Sequence, residues 1–164
     1  MNKMCWKLDG FRINMTVMAR VQFEVLLVED NPSDVELVRE ALAVWTLPAR
    51  LNVVDDGDKA LCYVRHIAPY ADAPVPELIL LDLNLPKKDG LEVLREIKGD
   101  ARLAQIPIIV LTTSDRENDV KKAYALHANC YLTKPLEIDD FIEKVRAIEQ
   151  FWLTYARLPQ GLTT

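Results

Sequence analysis

The sequence predicts an α/β fold, a doubly wound sheet of five parallel strands with helices on both faces. From Val21 onward, short β-branched and aliphatic runs alternate with amphipathic stretches, and five such pairs can be counted. The run Leu78–Leu81 is continuously apolar, which is typical of a strand buried on both faces of a parallel sheet. A chain of 164 residues, half of them hydrophobic, is long enough to bury one proper core.

Each predicted strand ends at polar or turn-forming residues, and each predicted helix follows such residues. The first helix starts near Ser33, after Asn31 and Pro32, and its apolar pattern reaches Trp45. Segment 68–77 is rich in proline and predicts a long loop before the third strand. The predicted strands are residues 24–28, 50–54, 78–81, 106–111 and 129–132. The remaining predicted helices are residues 58–66, 91–98, 115–126 and an extended last helix, 137–155.

Composition and charge argue against several kinds of partner. The formal net charge is −5 with acidic and basic residues interspersed, which predicts no nucleic-acid partner and no membrane surface. No apolar run approaches the length of a membrane span, and charged residues interrupt the first twenty positions. Cys5, Cys62 and Cys130 lack metal-type or disulfide-type spacing, which favours a cytoplasmic location. We expect a variable lead-in over residues 1–20, one domain over 21–157 and a C-terminal tail over 158–164.

Candidate reactive side chains directly follow four of the five predicted strands. Glu29 and Asp30 follow the first strand and Asp82 follows the third. Thr112 follows the fourth strand and Lys134 the fifth. Because parallel strands bring their carboxyl ends to one edge of the sheet, we expect these side chains to converge in one cleft. Clustered carboxylates repel one another unless they are neutralised, so the group predicts a hard divalent cation, typically Mg²⁺.

The same set of residues predicts phosphoryl chemistry. Asp82 is the candidate nucleophile toward phosphorus, while a metal ion and the Lys134 ammonium would stabilise the phosphoryl oxygens. The Thr112 hydroxyl is placed to bond a phosphoryl oxygen, which would pull on the loop after the fourth strand. A lone aspartate after a strand is more often a turn former or a helix cap, so this interpretation depends on the whole set.

Four motifs in order carry a resemblance to a known family. They are Leu-Leu-Val-Glu-Asp-Asn at 26–31, Leu-Leu-Asp-Leu-Asn-Leu-Pro at 80–86, Leu-Thr-Thr-Ser at 111–114 and Tyr-Leu-Thr-Lys-Pro at 131–135. Together they resemble the response regulator receiver family over about residues 21–150. The resemblance implies a flavodoxin-like (βα)5 receiver fold for the domain over 21–157. Glu-Asp stands at 29–30 where the family frequently has Asp-Asp, and Glu-Asp is a common variant.

The resemblance also implies how the metal site is built. It makes Asp30 a direct metal ligand and Glu29 a ligand through water. Asp82 becomes both a ligand and the phosphoacceptor, and the backbone carbonyl of Asn84 completes the protein's share. The expected ion is Mg²⁺, which Mn²⁺ can replace.

A conformational switch is the second implication of the resemblance. Lys134 is expected to bridge to Asp82 or to its phosphoryl group. Tyr131 resembles the switch aromatic that turns inward when Thr112 moves toward the phosphoryl group. The family pattern further implies a cis peptide bond between Lys134 and Pro135, which the general preference of such bonds does not favour.

A narrower resemblance concerns three segments outside these motifs. They are the loop 69–76, Leu-Pro-Lys-Lys-Asp-Gly at 85–90 and Gln-Phe-Trp-Leu-Thr-Tyr-Ala-Arg-Leu-Pro at 150–159. These segments look like the small single-domain response regulators that serve cyanobacterial and bacterial phytochromes. The resemblance implies a sensor histidine kinase, a phytochrome, as the phosphodonor.

The implied function is signalling through a changed surface, not enzymatic turnover, with at most slow autodephosphorylation. We expect a homodimer through helix 4, strand 5 and helix 5, to which Phe151, Trp152 and Tyr155 add apolar area. One alternative is a pseudo-receiver scaffold that acts without phosphorylation. Another is a haloacid-dehalogenase-like phosphatase, which would place its nucleophile after the first strand in an Asp-x-Asp pattern.

Overall fold

In the computed structural model, which describes residues 22–159, five parallel strands form one sheet. The strands are β1 (Phe23–Val28), β2 (Ala49–Val54), β3 (Leu78–Leu81), β4 (Ile108–Thr112) and β5 (Cys130–Thr133). The helices are α1 (Pro32–Ala43), α2 (Gly57–Val64), α3 (Gly90–Gly99), α4 (Glu117–Ala125), α5 (Ile138–Glu149) and a C-terminal π-helix (Gln150–Tyr155). The strand order is β2-β1-β3-β4-β5, so the predicted doubly wound fold is confirmed. The predicted lead-in, 1–20, and most of the predicted tail lie outside the described residues.

The side chains of β3 point alternately to the two faces of the sheet and contribute to the hydrophobic core on each face. Its four side chains are fully buried, as the continuous apolar run predicted. Ile79 and Leu81 pack toward α2, α3 and α4, while Leu78 and Leu80 pack toward α1 and α5. Burying one such side chain stabilises the fold by about 1.5–3 kcal/mol, so the two layers hold the strands in place.

The register of the strands aligns their carboxyl ends. Val28 of β1 pairs with Val54 of β2 and with Leu81 of β3, and Leu81 pairs with Val110 of β4. The ladder extends one step further, since the Asp82 backbone N–H donates to the Val28 carbonyl at 3.0 Å. The residues that follow β1 and β3 therefore lie side by side at one edge of the sheet.

Most predicted boundaries lie within two residues of the observed ones, and two of the differences have a structural cause. The fourth strand begins at Ile108 and not at 106, because Pro107 has no N–H to donate to the ladder. The extended last helix is not uniform, since α5 ends at Glu149 and a π-helix continues to Tyr155.

The buried Glu149 carboxylate accepts hydrogen bonds from the Thr46 backbone N–H and hydroxyl, at 2.5 and 2.7 Å. These bonds tie the end of α5 to the loop before β2.

The predicted cis bond at Lys134–Pro135 is wrong. The cis peptide bond among the described residues is Ala68–Pro69, in the long loop before β3. The general preference for trans peptide bonds therefore describes position 135 better than the family pattern does.

Between residues 22 and 159, no helix has the length and apolar character needed to cross a membrane.

Candidate functional site

Three carboxylates meet at the carboxyl edge of the sheet, beside the point where the strand order reverses. Glu29 and Asp30 follow β1, and Asp82 follows β3. One carboxylate oxygen from each of the three residues lies within 4.8 Å of the others. Glu29 and Asp82 are buried, with relative exposures of 2% and 5%, whereas Asp30 is exposed. This crevice is where open parallel sheets bind their ligands.

The donor set of this cluster fits a hard divalent cation. All three groups offer carboxylate oxygens, which Mg²⁺ and Mn²⁺ accept as ligands, and the exposed side of Asp30 leaves room for water. Asn84 stands two residues after Asp82, and its backbone N–H donates to Asp82 Oδ1 at 3.3 Å. The chain direction thus places the Asn84 peptide beside the cluster, where its carbonyl was predicted to ligate.

Lys134 brings a buried positive charge to the carboxylates. Its Nζ donates to Glu29 Oε2 at 2.5 Å, to Asp34 Oδ2 at 2.6 Å and to Asp82 Oδ2 at 3.3 Å. The predicted bridge from Lys134 to Asp82 is therefore present in the geometry. The contact with Asp34 was not predicted, although Asp34 lies in the first turn of α1 and only four residues after Asp30.

Burial and ion pairing act in opposite directions on these charges. Burial raises the pKa of the Glu29 carboxyl above its ordinary value, and the Lys134 ammonium offsets this only in part. Burial also disfavours the Lys134 ammonium, but hydrogen bonds to Asp34 and Glu29 outweigh it and raise the pKa of Lys134. Lys134 is therefore charged at neutral pH, as a group that stabilises anionic oxygens must be.

Thr112 ends β4, the strand that lies between β3 and β5 in the sheet. It is fully buried, and its Oγ1 accepts from Asn84 Nδ2 at 3.4 Å and from the Ser114 backbone N–H at 3.4 Å. The Tyr131 hydroxyl donates to the Ser114 carbonyl at 2.9 Å. Tyr131, on β5, is thus connected to the strand-end threonine through the loop between β4 and α4.

The loop between β3 and α3 is held against both neighbours. A Cβ at Gly90 would lie 2.2 Å from the Asp82 carbonyl oxygen, so only glycine lets α3 begin so close to the cleft. Lys87, whose φ is +66°, bonds Asp56 Oδ2 at 2.6 Å. Asp56 also caps α2 by accepting from the Lys59 backbone N–H at 2.7 Å. The sequence motifs do not predict this Lys87–Asp56 contact, because its partners lie in two different loops.

The structure gathers all the predicted metal and phosphoryl residues at one edge of the sheet. Tyr131 is connected to that edge by its bond to Ser114, in the loop between β4 and α4, and not by a direct bond to Thr112. The residues gathered at the edge are Glu29, Asp30, Asp82, Asn84, Thr112 and Lys134.

A doubly wound sheet with these carboxylates, a buried lysine and a strand-end threonine at one edge defines a receiver-type switch domain. The sequence pattern of the response regulator receiver domain matches residues 25–146. The chain belongs to the response regulator receiver family, whose members are components of two-component systems.

The most informative relatives are response regulators of cyanobacteria. Response regulator Rcp1 of Synechocystis sp. is 49% identical over 135 residues, which cover 82% of this chain and 92% of Rcp1. The crystal structure of the phosphorylated cyanobacterial phytochrome response regulator RcpA is 50% identical, with a TM-score of 0.82, and covers 85% of this chain and 99% of RcpA. The Mn²⁺-bound form of Rcp1 is 48% identical, with a TM-score of 0.80, and covers 84% of this chain and 99% of that one. The predicted similarity to phytochrome response regulators is confirmed.

Proposed function

We propose that this protein accepts a phosphoryl group on Asp82 in a Mg²⁺-dependent reaction and signals by a change of surface. The observation that carries the proposal is the position of Lys134 Nζ, 3.3 Å from Asp82 Oδ2, beside the carboxylates of Glu29 and Asp30. Such a cleft combines a nucleophile, a metal-binding group and a compensating cation.

Each residue at the cleft has one chemical task. An Asp82 carboxylate oxygen forms a bond to phosphorus as the bond between phosphorus and the donor atom breaks, and the donor leaves with that electron pair. The Lys134 ammonium stabilises the charge on the phosphoryl oxygens. Mg²⁺ held by Glu29, Asp30, Asp82 and the Asn84 carbonyl, or Mn²⁺ in its place, would neutralise charge on the carboxylates and phosphoryl oxygens.

Thr112 would couple the presence of the phosphoryl group to a conformational change at the protein surface. To donate its hydroxyl proton to a phosphoryl oxygen, the Thr112 side chain would move toward Asp82. That movement would lengthen the bonds that its Oγ1 now accepts from Asn84 Nδ2 and the Ser114 backbone N–H, both at 3.4 Å. A shift of Ser114 would release the Tyr131 hydroxyl from its carbonyl partner. The event at Asp82 thereby alters the face formed by α4, β5 and α5.

We infer that the phosphodonor is the phosphohistidine of a sensor histidine kinase, a phytochrome. This inference is supported by the identity of 50% to RcpA, itself a cyanobacterial phytochrome response regulator. In this transfer the bond between the histidine nitrogen and phosphorus breaks, and the imidazole leaves with the electron pair. The protein acts here as a phosphoacceptor and does not turn over small metabolites.

We further propose a second copy of this chain as the partner of the α4-β5-α5 face. An apolar groove of about 250 Å³ runs between β5 and α5. Phe151 and Tyr155 of the π-helix beside it are 56% and 71% exposed, whereas Trp152 packs against the protein's own core. A twofold axis would present two such grooves and two such aromatic pairs to each other. The groove is lined by Ile109, Asn129, Cys130, Leu132, Lys144, Ala147, Ile148, Phe151 and Trp152.

Incubation with acetyl phosphate tests the chemistry and the output together. We expect the intact mass to increase by one phosphoryl group in the presence of Mg²⁺ and to stay unchanged with a chelator. Sizing chromatography of the same samples should show a larger dimer fraction after phosphorylation. A mass that never increases would favour the pseudo-receiver alternative, and a monomer in every sample would remove the dimer.

A further inference from the structure

A fourth carboxylate touches the site without belonging to the metal-binding cluster. Asp34 Oδ2 lies 2.6 Å from Lys134 Nζ, which is nearer than Asp82 Oδ2 at 3.3 Å. The metal-binding group comprises Glu29, Asp30 and Asp82 and does not include Asp34. Asp34 lies in the first turn of α1, and its side chain is 29% exposed, whereas that of Lys134 is 6% exposed.

The Lys134 ammonium thus donates hydrogen bonds to three carboxylates, those of Glu29, Asp34 and Asp82. Two of them, Glu29 and Asp82, also belong to the carboxylate cluster that fits a cation. A cation bound there would interact with the carboxylates of both Glu29 and Asp82 and weaken their attraction for the Lys134 ammonium. Asp34 lies outside the cluster, so its carboxylate would then be the strongest remaining partner of Lys134. A phosphoryl group on Asp82 requires the same ammonium, so Asp34 and the phosphoryl oxygens compete for it.

We propose that Asp34 is a positioning residue that holds the Lys134 ammonium on the α1 side of the cleft and so slows phosphoryl uptake. This inference rests on the proposed phosphoacceptor function of Asp82. In the step concerned, an Asp82 oxygen bonds to the phosphorus of acetyl phosphate while the bond from phosphorus to the acetyl oxygen breaks. Acetate leaves with that electron pair. Removing the Asp34 charge frees the ammonium to meet the phosphoryl oxygens as that bond forms.

A simpler role for Asp34 is to stabilise the start of α1. Acidic residues in the first turn favour a helix through its dipole. The cap of α1 is another residue, however, since Asn31 Oδ1 accepts from the Ser33 backbone N–H at 3.0 Å. A role in helix stability would change the melting temperature but would not change the rate of phosphoryl uptake through Lys134.

The test measures the initial rate of phosphoryl uptake from acetyl phosphate by intact mass at saturating Mg²⁺. We expect Asp34→Asn to react about fivefold faster than wild type, as a modest change in transition-state stabilisation would give. Asp34→Glu, which restores the charge, should return the rate toward the wild-type value. Glu36→Gln is the matched control, because Glu36 is a 67% exposed acid of the same helix that pairs with Arg39. Its rate should equal that of wild type.

A double-mutant cycle with Lys134→Ala decides whether Asp34 acts through the lysine. Without the ammonium, Asp34→Asn should no longer change the rate. Equal rates for Asp34→Asn and wild type, a slower Asp34→Asn, or an undiminished effect in the Lys134→Ala background would each overturn the inference. Wild-type protein that takes up no phosphoryl group would instead defeat the proposed function, and this inference with it.

Discussion

Lys134 Nζ lies 3.3 Å from Asp82 Oδ2, although 52 positions separate the two residues in the chain. The two residues follow β5 and β3, which lie on either side of β4 in the sheet. Strand order alone therefore brings a cation and a carboxylate together across one intervening strand.

The first prediction concerns metal binding. Asp30→Asn should weaken Mg²⁺ binding more than about tenfold. Substituting a residue that only hydrogen-bonds to a metal ligand already lowers metal affinity by at least about tenfold, and Asp30 is expected to be a ligand itself. Asp30 is exposed, so the fold should persist and the loss should be one of affinity alone. Calorimetric titration with Mg²⁺ measures it, and Asp55→Asn is the control because Asp55 is an acid that pairs with Lys59 and is not one of the three cluster carboxylates. Equal affinities of Asp30→Asn and wild type would show that Asp30 is not a ligand.

The second prediction concerns the coupling of phosphorylation to output. Lys134→Ala and Thr112→Ala should each reduce phosphorylation-dependent dimerisation, and the double variant should lose nearly all of it. A full swing of a two-state switch needs about 5.5 kcal/mol of differential interaction. One hydrogen bond supplies only about 1 kcal/mol, so neither residue suffices alone. Sedimentation velocity with and without acetyl phosphate measures the dimer fraction, and a double variant that still responds fully would refute the coupling.

The third prediction concerns pH and the Lys87–Asp56 contact. Burial by itself raises the pKa of Asp56, but bonds from the Lys87 ammonium and the Lys59 backbone N–H outweigh it and hold the pKa of this carboxyl below its ordinary value. A lowered carboxyl pKa stabilises the folded state above the ordinary value, and this stability is lost as the pH falls through the folded-state pKa. Lys87→Met should therefore be less stable than wild type at pH 6, but only slightly, because Lys87 is 60% exposed and water screens its ion pair with Asp56.

Urea unfolding of the two proteins between pH 6 and pH 3 tests this expectation. The difference in the free energy of unfolding should shrink below pH 3.8 as Asp56 is protonated. Lys121→Met, which removes a 73% exposed lysine paired with Glu117, serves as the control. A difference that stays constant over the whole range would show that Asp56 is not the partner that matters.

The fourth prediction concerns the aromatic end of the chain. Phe151→Ala with Tyr155→Ala should shift the protein toward monomer while phosphoryl uptake at Asp82 stays nearly intact. Both side chains are more than half exposed, so their loss should cost the monomer little stability. Trp152→Ala should instead lower the free energy of unfolding by about 2 kcal/mol, because Trp152 packs against the core of its own domain. A dimer unaffected by the double substitution would place the interface elsewhere.

Much of the fold could be predicted because its signals are local. The run Leu78–Leu81 coincides with β3, since a short uninterrupted apolar segment between turn-forming residues is typical of a strand buried on both faces of a parallel sheet. Glu29, Asp82 and Lys134 could be grouped in advance because each follows such a run, and parallel strands end at a common edge.

The features that could not be predicted depend on contacts between distant segments. The approach of Asp34 to Lys134 joins residues 100 positions apart and depends on how α1 lies over the sheet. The change of helix type after Glu149 occurs where that side chain is held by Thr46, 103 positions away. No local pattern of apolar residues carries such information, because it reports burial and not the partner of a particular polar atom.

The most direct test of the account is the site of phosphoryl attachment. Wild-type protein and Asp82→Asn are incubated in parallel with acetyl phosphate and Mg²⁺, and intact mass and peptide mapping follow. The amide has neither the charge nor the nucleophilic lone pair of the carboxylate, so we expect one phosphoryl group on wild type and none on Asp82→Asn. Circular dichroism should show the same fold for both. Labelling of Asp82→Asn to the wild-type level, or a phosphoryl group mapped to another residue of wild type, would contradict the account.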